Sequence, residues 1–475
     1  MDASTLHNGF LKVLKAEPTP CQDDFFRAFG RFLTEDEGDI FVLNGYAGTG
    51  KTTALAAVTG YLRRLGIKSV LLAPTGRAAK ILGGMSSLPA STIHKHIYRQ
   101  KSVDSDGRGR FTLAPNKARN TLFVVDEVSL IGVDQAQQGT IQFGTGNLLG
   151  DLVDFVRAGD GCRLLLCGDA AQLPPVGLEL SPALDPSVMD NFGGVHYATL
   201  STVVRQEGGS GILENATAIR KLIAEAAPSD TFEGPFLSVD GLPDIVRISG
   251  GSLIDALSDA YGKYGDDGTI VLTRSNKMAI RFNLGIRSQV LFKEEQLTRG
   301  DKLMIVRNCY QFVDDIDSLD YIANGDVAVL QKIWHYEERY GLHFADALLE
   351  FPDYEGCEIR AKVCLDTLTS ESASLTAEQQ NALYAGVSAD YSDRGSKKKI
   401  WDAVREDPYF NALQLKYADA ITCHKAQGGQ WDCVFIHNPF WLPGQNVEDL
   451  RWLYTALTRA VRKVYLVNFP DIFFK

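Results

Sequence analysis

Long apolar runs are missing from this 475-residue chain; no stretch approaches the ~18 apolar residues that a membrane helix needs. Residues 1–20 lack a basic start followed by an apolar core, so no secretory leader and no membrane partner are expected, and the chain reads as cytoplasmic. Cysteine is scarce and scattered, with eight residues and no C-x-x-C pair. Cys162/Cys167 and Cys423/Cys433 stand in strand-like or core-like segments, which favours reduced thiols over a disulfide framework. Histidine and cysteine do not gather at zinc-site spacing; His94 and His96 come nearest, and two ligands do not make a site. Repeats and low-complexity tracts are absent too. Excess positive charge is also lacking. The formal net charge of −11 argues against a protein that coats nucleic acid by bulk attraction but is compatible with a local basic track on an acidic body, so charge does not decide the partner.

What is present is a chain too long for one ordinary core, about three units at ~150 residues each. Its 45% hydrophobic and 23% charged content fits a soluble globular protein. The first two hundred residues alternate strand and helix signals. Short apolar runs at 40–43, 69–73, 122–125, 163–166 and 197–200 suit buried parallel strands, with helices expected over 51–65 and 151–157. This pattern predicts an α/β, doubly wound sheet. Residues 97–119 break the rhythm: Ser105-Asp106-Gly107-Arg108-Gly109 lies between two extended arms, as in a projecting hairpin or an ordinary surface excursion. Alternation resumes near Gly268, with strands expected at 269–273, 302–306 and 327–331 and a helix over 278–289. Residues 332–415 differ in texture. Apolar/polar alternation at 343–351 and 358–365, then polar helical stretches at 376–383 and 397–405, predict an inserted antiparallel unit. Strands at 417–422, 433–437 and 464–467 and a helix over 448–457 close the chain.

Gly45-Tyr46-Ala47-Gly48-Thr49-Gly50-Lys51-Thr52-Thr53 carries the phosphate-binding loop pattern G-x-x-x-x-G-K-[ST], between an apolar run and a helix signal. Its glycines let backbone N–H groups surround phosphates at the positive end of a helix. Lys51 then reaches the β- and γ-phosphates, and the Thr52 hydroxyl holds Mg²⁺. Asp126-Glu127 ends a second apolar run. Beside such a loop, Asp126 belongs on the Mg²⁺ shell and Glu127 near the attacking water, although alone the pair would also fit a helix N-cap. Gln172, within Gly168-Asp169-Ala170-Ala171-Gln172-Leu173-Pro174-Pro175-Val176, is suited to contact the γ-phosphate and report its loss.

Further segments extend the series: Ala73-Pro74-Thr75-Gly76-Arg77, Ser91-Thr92-Ile93-His94, Val204-Arg205-Gln206, His424-Lys425-Ala426-Gln427-Gly428 and Tyr454-Thr455-Ala456-Leu457-Thr458-Arg459. In this order the chain resembles the superfamily 1 DNA helicases of the 5′→3′ subgroup, most closely the RecD/Dda branch. The resemblance implies two RecA-like P-loop NTPase domains, residues 1–96 with 120–200 and residues 201–331 with 416–475. It also implies a pin at 97–119 with Phe111 or Tyr98 as wedge candidates, and an SH3-like domain with a helical extension at 332–415. ATP and Mg²⁺ are the implied cofactors. Gln22 would read the adenine, Arg205 and Arg459 would act as arginine fingers, and Gly428 would approach the γ-phosphate. Gln430 stands where many relatives carry a ribose-binding glutamate. Single-stranded DNA, and its junctions with duplex, would run over Pro74, Thr75, Thr92, His94 and Lys95, then Thr273, Asn276, Thr422, His424 and Lys425. These are short donors suited to backbone rather than base contacts.

The resemblance implies an ATP-dependent helicase moving 5′→3′, expected to act as a monomer, with replication or repair proteins as candidate partners. Rival readings are an RNA helicase, a protein-displacing translocase, a subunit of an exonuclease complex and a nucleotide-gated scaffold. No separate nuclease domain or unassigned carboxylate cluster is visible, and a scaffold needs none of the catalytic set. Lys51→Ala is expected to abolish ATP turnover, measured as phosphate release with and without single-stranded DNA.

Overall fold

The computed structural model describes residues 2–14, 16–103, 109–132, 141–204, 209–227, 230–309, 311–313, 321–440 and 444–475. The chain divides into two compact units, one of Met1–Ser102, Gly109–Phe236 and Gly444–Thr458, the other chiefly of Leu237–Pro443 and Arg459–Lys475.

In the first unit the strands are β1 (Ile40–Gly45), β2 (Lys68–Ala73), β3 (Ala90–Thr92), β4 (Tyr98–Val103), β5 (Gly109–Leu113), β6 (Thr121–Val125), β7 (Ile141–Phe143), β8 (Arg163–Gly168) and β9 (Val195–Leu200). Six form a parallel sheet in the order β3-β2-β6-β8-β1-β9. β6 is buried along its whole length, as befits a strand covered on both faces. One cover is the helix Pro20–Thr34, started by Pro20 and by a capping box between Thr19 and Gln22. Its Phe25, Phe26, Phe29 and Phe32 are all buried, and the Phe29 ring meets Phe41 of β1 at 5.2 Å, edge to face. The expected hairpin arms are present as β4 and β5, but β7 joins them in a three-stranded sheet, pairing with β5 in parallel.

The second unit holds β10 (Ile245–Ile248), β11 (Thr269–Thr273), β12 (Lys302–Ile305), β13 (Val327–Arg339), β14 (Leu342–Phe351), β15 (Cys357–Cys364), β16 (Leu413–Tyr417), β17 (Ala420–Thr422), β18 (Trp431–His437) and β19 (Ala460–Val467). Five make a parallel sheet, β10-β19-β18-β11-β17. The strands β12-β13-β14-β15-β16 close a barrel around Leu303, Ile305, Leu330, Leu349, Ile359 and Leu415. The antiparallel unit therefore starts at Lys302, not at residue 332. Strands expected in the second parallel sheet are recruited instead because β12 pairs with both β13 and β16, leaving the barrel without an open edge. Helices Ala377–Asp390 and Lys397–Glu406 pack on Leu342, Phe344 and Cys364. A buried carboxylate, Asp301, receives Arg287 and also Lys293 at 2.8 Å, just ahead of β12.

The helix Val447–Leu457, expected with the second sheet, groups with the first unit instead. Phe29→Ala is expected to cost the first unit about 3–5 kcal/mol, the usual range for a fully buried phenylalanine. Urea unfolding, read by hydrogen exchange at the β1 amides, checks it.

Candidate active site

β1 delivers the phosphate-binding loop and the helix Lys51–Arg64 carries the chain away from it. Gly48 and Gly50 have φ of 72° and 77°, and a Cβ on Gly50 would lie 2.6 Å from Gln22 Nε2. Only glycine fits there. Thr49 is fully buried and its hydroxyl donates to the Tyr46 carbonyl at 2.7 Å, closing the loop on itself. Lys51 donates to the Gly45 carbonyl and lies 3.7 Å from Asp169 Oδ2. Thr52 is half-buried at the start of the helix, and Thr53 is exposed.

Asp126 is buried at the end of β6, its Oδ1 accepting from the Glu127 N–H at 2.8 Å. Burial raises its pKa, and the neighbouring Glu127 charge raises it further. Such a pair favours a cation. Thr52 and Asp126 therefore suit Mg²⁺, which would supply charge neutralisation for a bound triphosphate. The Cys167 thiol, also pushed upward by burial and by Asp126, lies beside it.

Asp169 was not singled out from the sequence, yet it is the centre of the loop 168–176. It is 1% exposed; Oδ1 accepts from Ala171 N at 3.0 Å, and Oδ2 accepts the Tyr454 hydroxyl at 2.7 Å and faces Lys51. The Tyr454 oxygen in turn accepts from the Ala47 N–H at 2.9 Å, inside the phosphate loop. Thr455 Oγ1 accepts from Leu173 N at 2.8 Å, and Arg451 donates to the carbonyls of Ala170 and Gln172. Asp169 and Tyr454 both lie inside quoted motifs, but nothing in spacing pairs residues nearly three hundred positions apart. Gln172 is buried with its amide oxygen unpaired among the described residues, a polar end available to a ligand or water. The Arg220 guanidinium lies 4.4 Å over the Tyr46 ring, another loop contact absent from the sequence reading.

The other expected residues fall as follows. Gln22 accepts from Thr19 N and donates to the Thr49 carbonyl, both at 3.0 Å, so its amide ties a helix start to the loop. Arg205 lies outside the described residues. In the second unit Arg459 is buried and donates to the Gly429 carbonyl at 3.3 Å; Gly428 has φ 74° and Gln430 is exposed.

Among the residues expected on a nucleic-acid track, Pro74 is half-buried and Thr75 caps Ala78 N at 3.3 Å. Thr92 caps Lys95 N, also at 3.3 Å, and the Lys95 side chain is exposed. His94 packs edge-on to Phe143 at 5.1 Å, and burial pushes its pKa down to about 4, so it acts as a neutral ring at physiological pH. Thr273 departs from expectation. It is fully buried and its hydroxyl donates to the Ser275 and Ile421 carbonyls, so it braces two strand ends rather than facing outward. Asn276 opens a helix; Thr422 and His424 are half-buried; Lys425 donates to Asn324 Oδ1. The wedge candidate Tyr98 is likewise buried, its hydroxyl donating to Asp151 at 2.7 Å, which makes it an anchor and not a wedge. Phe111 packs on Phe143 at 4.7 Å.

A family model described as an AAA domain matches residues 27–229, and one described as a UvrD-like helicase C-terminal domain matches residues 417–467. The ATP-dependent RecD2 DNA helicase of Deinococcus radiodurans is 36% identical over 137 residues, 29% of this chain. The UvrD-like match and the RecD2 relative agree with the resemblance to superfamily 1 helicases that the motifs carry. The matched stretch spans only 16% of that curated relative's length. Similar solved structures include Pif1 helicases on forked duplex DNA (16% identity, TM-score 0.47, 96% of this chain and 92% of that one). Another is a Bacteroides Pif1 helicase with ADP-AlF3 and single-stranded DNA (16% identity, TM-score 0.41, 97% and 95%). No helix among the described residues is long and apolar enough to cross a membrane.

Because the folded chain holds His94 neutral down to about pH 4 while the unfolded chain protonates it near 6.5, acidification through that window favours unfolding. The fall of melting temperature between pH 6.5 and 4 is expected to be shallower in His94→Phe, measured by calorimetry across that range.

Proposed function

We propose that the chain is an ATP- and Mg²⁺-dependent DNA helicase that moves 5′→3′ on single-stranded DNA and opens duplex ahead of it. The observation that carries this reading is the bond sequence from the phosphate loop through Asp169 to Tyr454. It joins Lys51 and the Ala47 N–H to the helix Val447–Leu457, which leads directly into Arg459. A residue pair that senses phosphate thus stands at one end of the segment that carries a candidate arginine finger.

In the proposed mechanism Lys51 exchanges the Gly45 carbonyl and Asp169 for the β- and γ-phosphate oxygens. The vacated Asp169 keeps its bonds from Ala171 and Tyr454. Thr52 and Asp126 would hold Mg²⁺, which would neutralise phosphate charge, and Glu127 orients and deprotonates the attacking water. Gln172 turns its unpaired amide toward the γ-phosphate; in a planar amide, oxygen and nitrogen exchange places by a flip. Arg459 and Arg205 would supply charge to the transition state, a role that the motif resemblance implies. Gly45 to Thr53 would surround the phosphates; Gly428 and Gln430 are nucleotide contacts that the motif resemblance alone implies.

DNA is gripped through its backbone by Thr75, Thr92 and Lys95, with Asn276, Thr422, His424 and Lys425 as the second set of contacts. His94 contributes as a neutral ring or hydrogen-bond partner, not as a cation. The β4–β5 hairpin serves as the strand-splitting pin, with Phe111 as the remaining wedge candidate. The closed barrel, with its two appended helices, is read as the SH3-like accessory domain. A cytoplasmic monomer acting at single-strand/duplex junctions, with replication or repair proteins as partners, completes the reading.

The test is ATP-driven unwinding of one duplex carrying either a 5′ or a 3′ single-stranded tail. Opening from the 5′ tail alone is expected; opening from the 3′ tail alone overturns the polarity. Arg459→Ala is expected to keep ATP binding but to lower hydrolysis by roughly 10³-fold, as in other arginine-finger enzymes. A wild-type hydrolysis rate in that variant removes Arg459 from the site.

A further inference from the structure

A third buried carboxylate lies in the first unit, in a segment that none of the motifs includes. Asp151 is 1% exposed in the first turn of the helix Leu148–Arg157. Its Oδ2 accepts from the Tyr98 hydroxyl at 2.7 Å and from Thr145 N at 3.0 Å, and its Oδ1 accepts the Thr145 hydroxyl at 2.8 Å. Tyr98 opens β4, and Thr145 stands two residues past the end of β7. One side chain therefore fastens both outer strands of the sheet β4-β5-β7. The turn between β7 and the helix is shaped for it. Gly144 has φ +48°, and a Cβ there would lie 1.9 Å from Asp151 Oδ2 and 2.7 Å from the Tyr98 ring.

The helix itself is fixed. Leu149, Leu152, Val153 and Val156 are buried in the core beneath the parallel sheet. Asn116 adds a second tie, donating to the Phe155 carbonyl at 2.9 Å. Around the carboxylate, Phe143 meets Tyr98 at 5.3 Å and His94 at 5.1 Å, so the small sheet also abuts the short helix that Thr92 caps and that bears His94 and Lys95. Apolar ring contacts leave a sheet free to rock, whereas hydrogen bonds to a charged acceptor are directional and strong. Asp151 supplies that direction to the start of β4 and to the turn that follows β7.

We propose that Asp151 is a positioning residue for duplex opening: it sets the angle of the hairpin against the strand track and touches neither nucleotide nor DNA. The proposal rests on reading β4–β5 as the strand-splitting pin. It separates two quantities usually lost together, since strand opening needs the hairpin held still and ATP turnover does not.

The experiment compares wild type, D151N and Y98F for DNA-stimulated ATP hydrolysis and for unwinding of the 5′-tailed duplex, with thermal unfolding as the check on folding. Asparagine keeps the shape but replaces one acceptor oxygen with an NH₂ group, which cannot accept from the donors now facing it. D151N is expected to hydrolyse ATP within about twofold of wild type and to open at least about tenfold fewer base pairs per ATP, the scale of losing a charge-assisted hydrogen bond. Y98F, which lacks a single hydroxyl, is expected to show a smaller loss in the same ratio and carries the test if D151N does not fold. Wild-type coupling in D151N overturns the proposal, as does a parallel fall in hydrolysis and unwinding. A wild-type chain that opens neither tailed duplex overturns the pin reading, and the proposal with it.

Discussion

The carboxylate of Asp169 is the contact on which the rest of the first unit's chemistry depends. Removed from water, a charge is costly unless it is paired and hydrogen-bonded. Asp169 meets both conditions by drawing together three stretches of chain far apart in sequence: Lys51 from the phosphate loop, Ala171 from its own loop and Tyr454 from a helix near the C-terminus. The cost of burial is what makes the contact informative. None of the three partners can leave without the carboxylate losing part of its compensation, so a change at the loop is felt at Tyr454. Thr455 and Arg451, bonded to the backbone of the same loop, hold that helix in register while this happens.

The same device recurs. Asp151 gathers β4 and the turn after β7, and Asp301 gathers Arg287 and Lys293 ahead of the barrel. Asp419 sits between Lys302 at 3.5 Å and the Tyr261 hydroxyl at 3.2 Å, its own pKa raised by burial. Apolar packing sets how close elements come but is indifferent to small rotations. A buried carboxylate with two or three donors is not, because hydrogen bonds weaken steeply off axis. The cores of this protein supply the stability, and a few enclosed aspartates supply the angles.

Local chemistry made much of this readable in advance. Glycines at positive φ, a lysine and a threonine in fixed spacing need no distant partner to form a phosphate loop, and the loop stands where the pattern put it. Buried parallel strands were visible as short apolar runs because both faces need the same kind of residue. The misreadings share one cause. Tyr98 and Thr273 have side chains that suit an exposed, functional role, and each is turned inward by a partner supplied from elsewhere: Asp151 for the first, the Ile421 carbonyl for the second. The barrel was placed too late along the chain because β12 looks like any apolar strand until β16 closes on it.

By itself the sequence determined the chemistry on offer: a nucleotide loop, paired carboxylates, candidate arginines, two alternating α/β regions and an antiparallel insertion. Each depends on residues close together in the chain, or on periodicities that a strand or helix imposes locally. Tertiary structure alone decided which aspartates are enclosed, which tyrosine reaches the phosphate loop, and where one sheet ends and the barrel begins. Those outcomes depend on pairings across tens to hundreds of residues. No local rule selects among the many partners of similar chemistry that such distances allow.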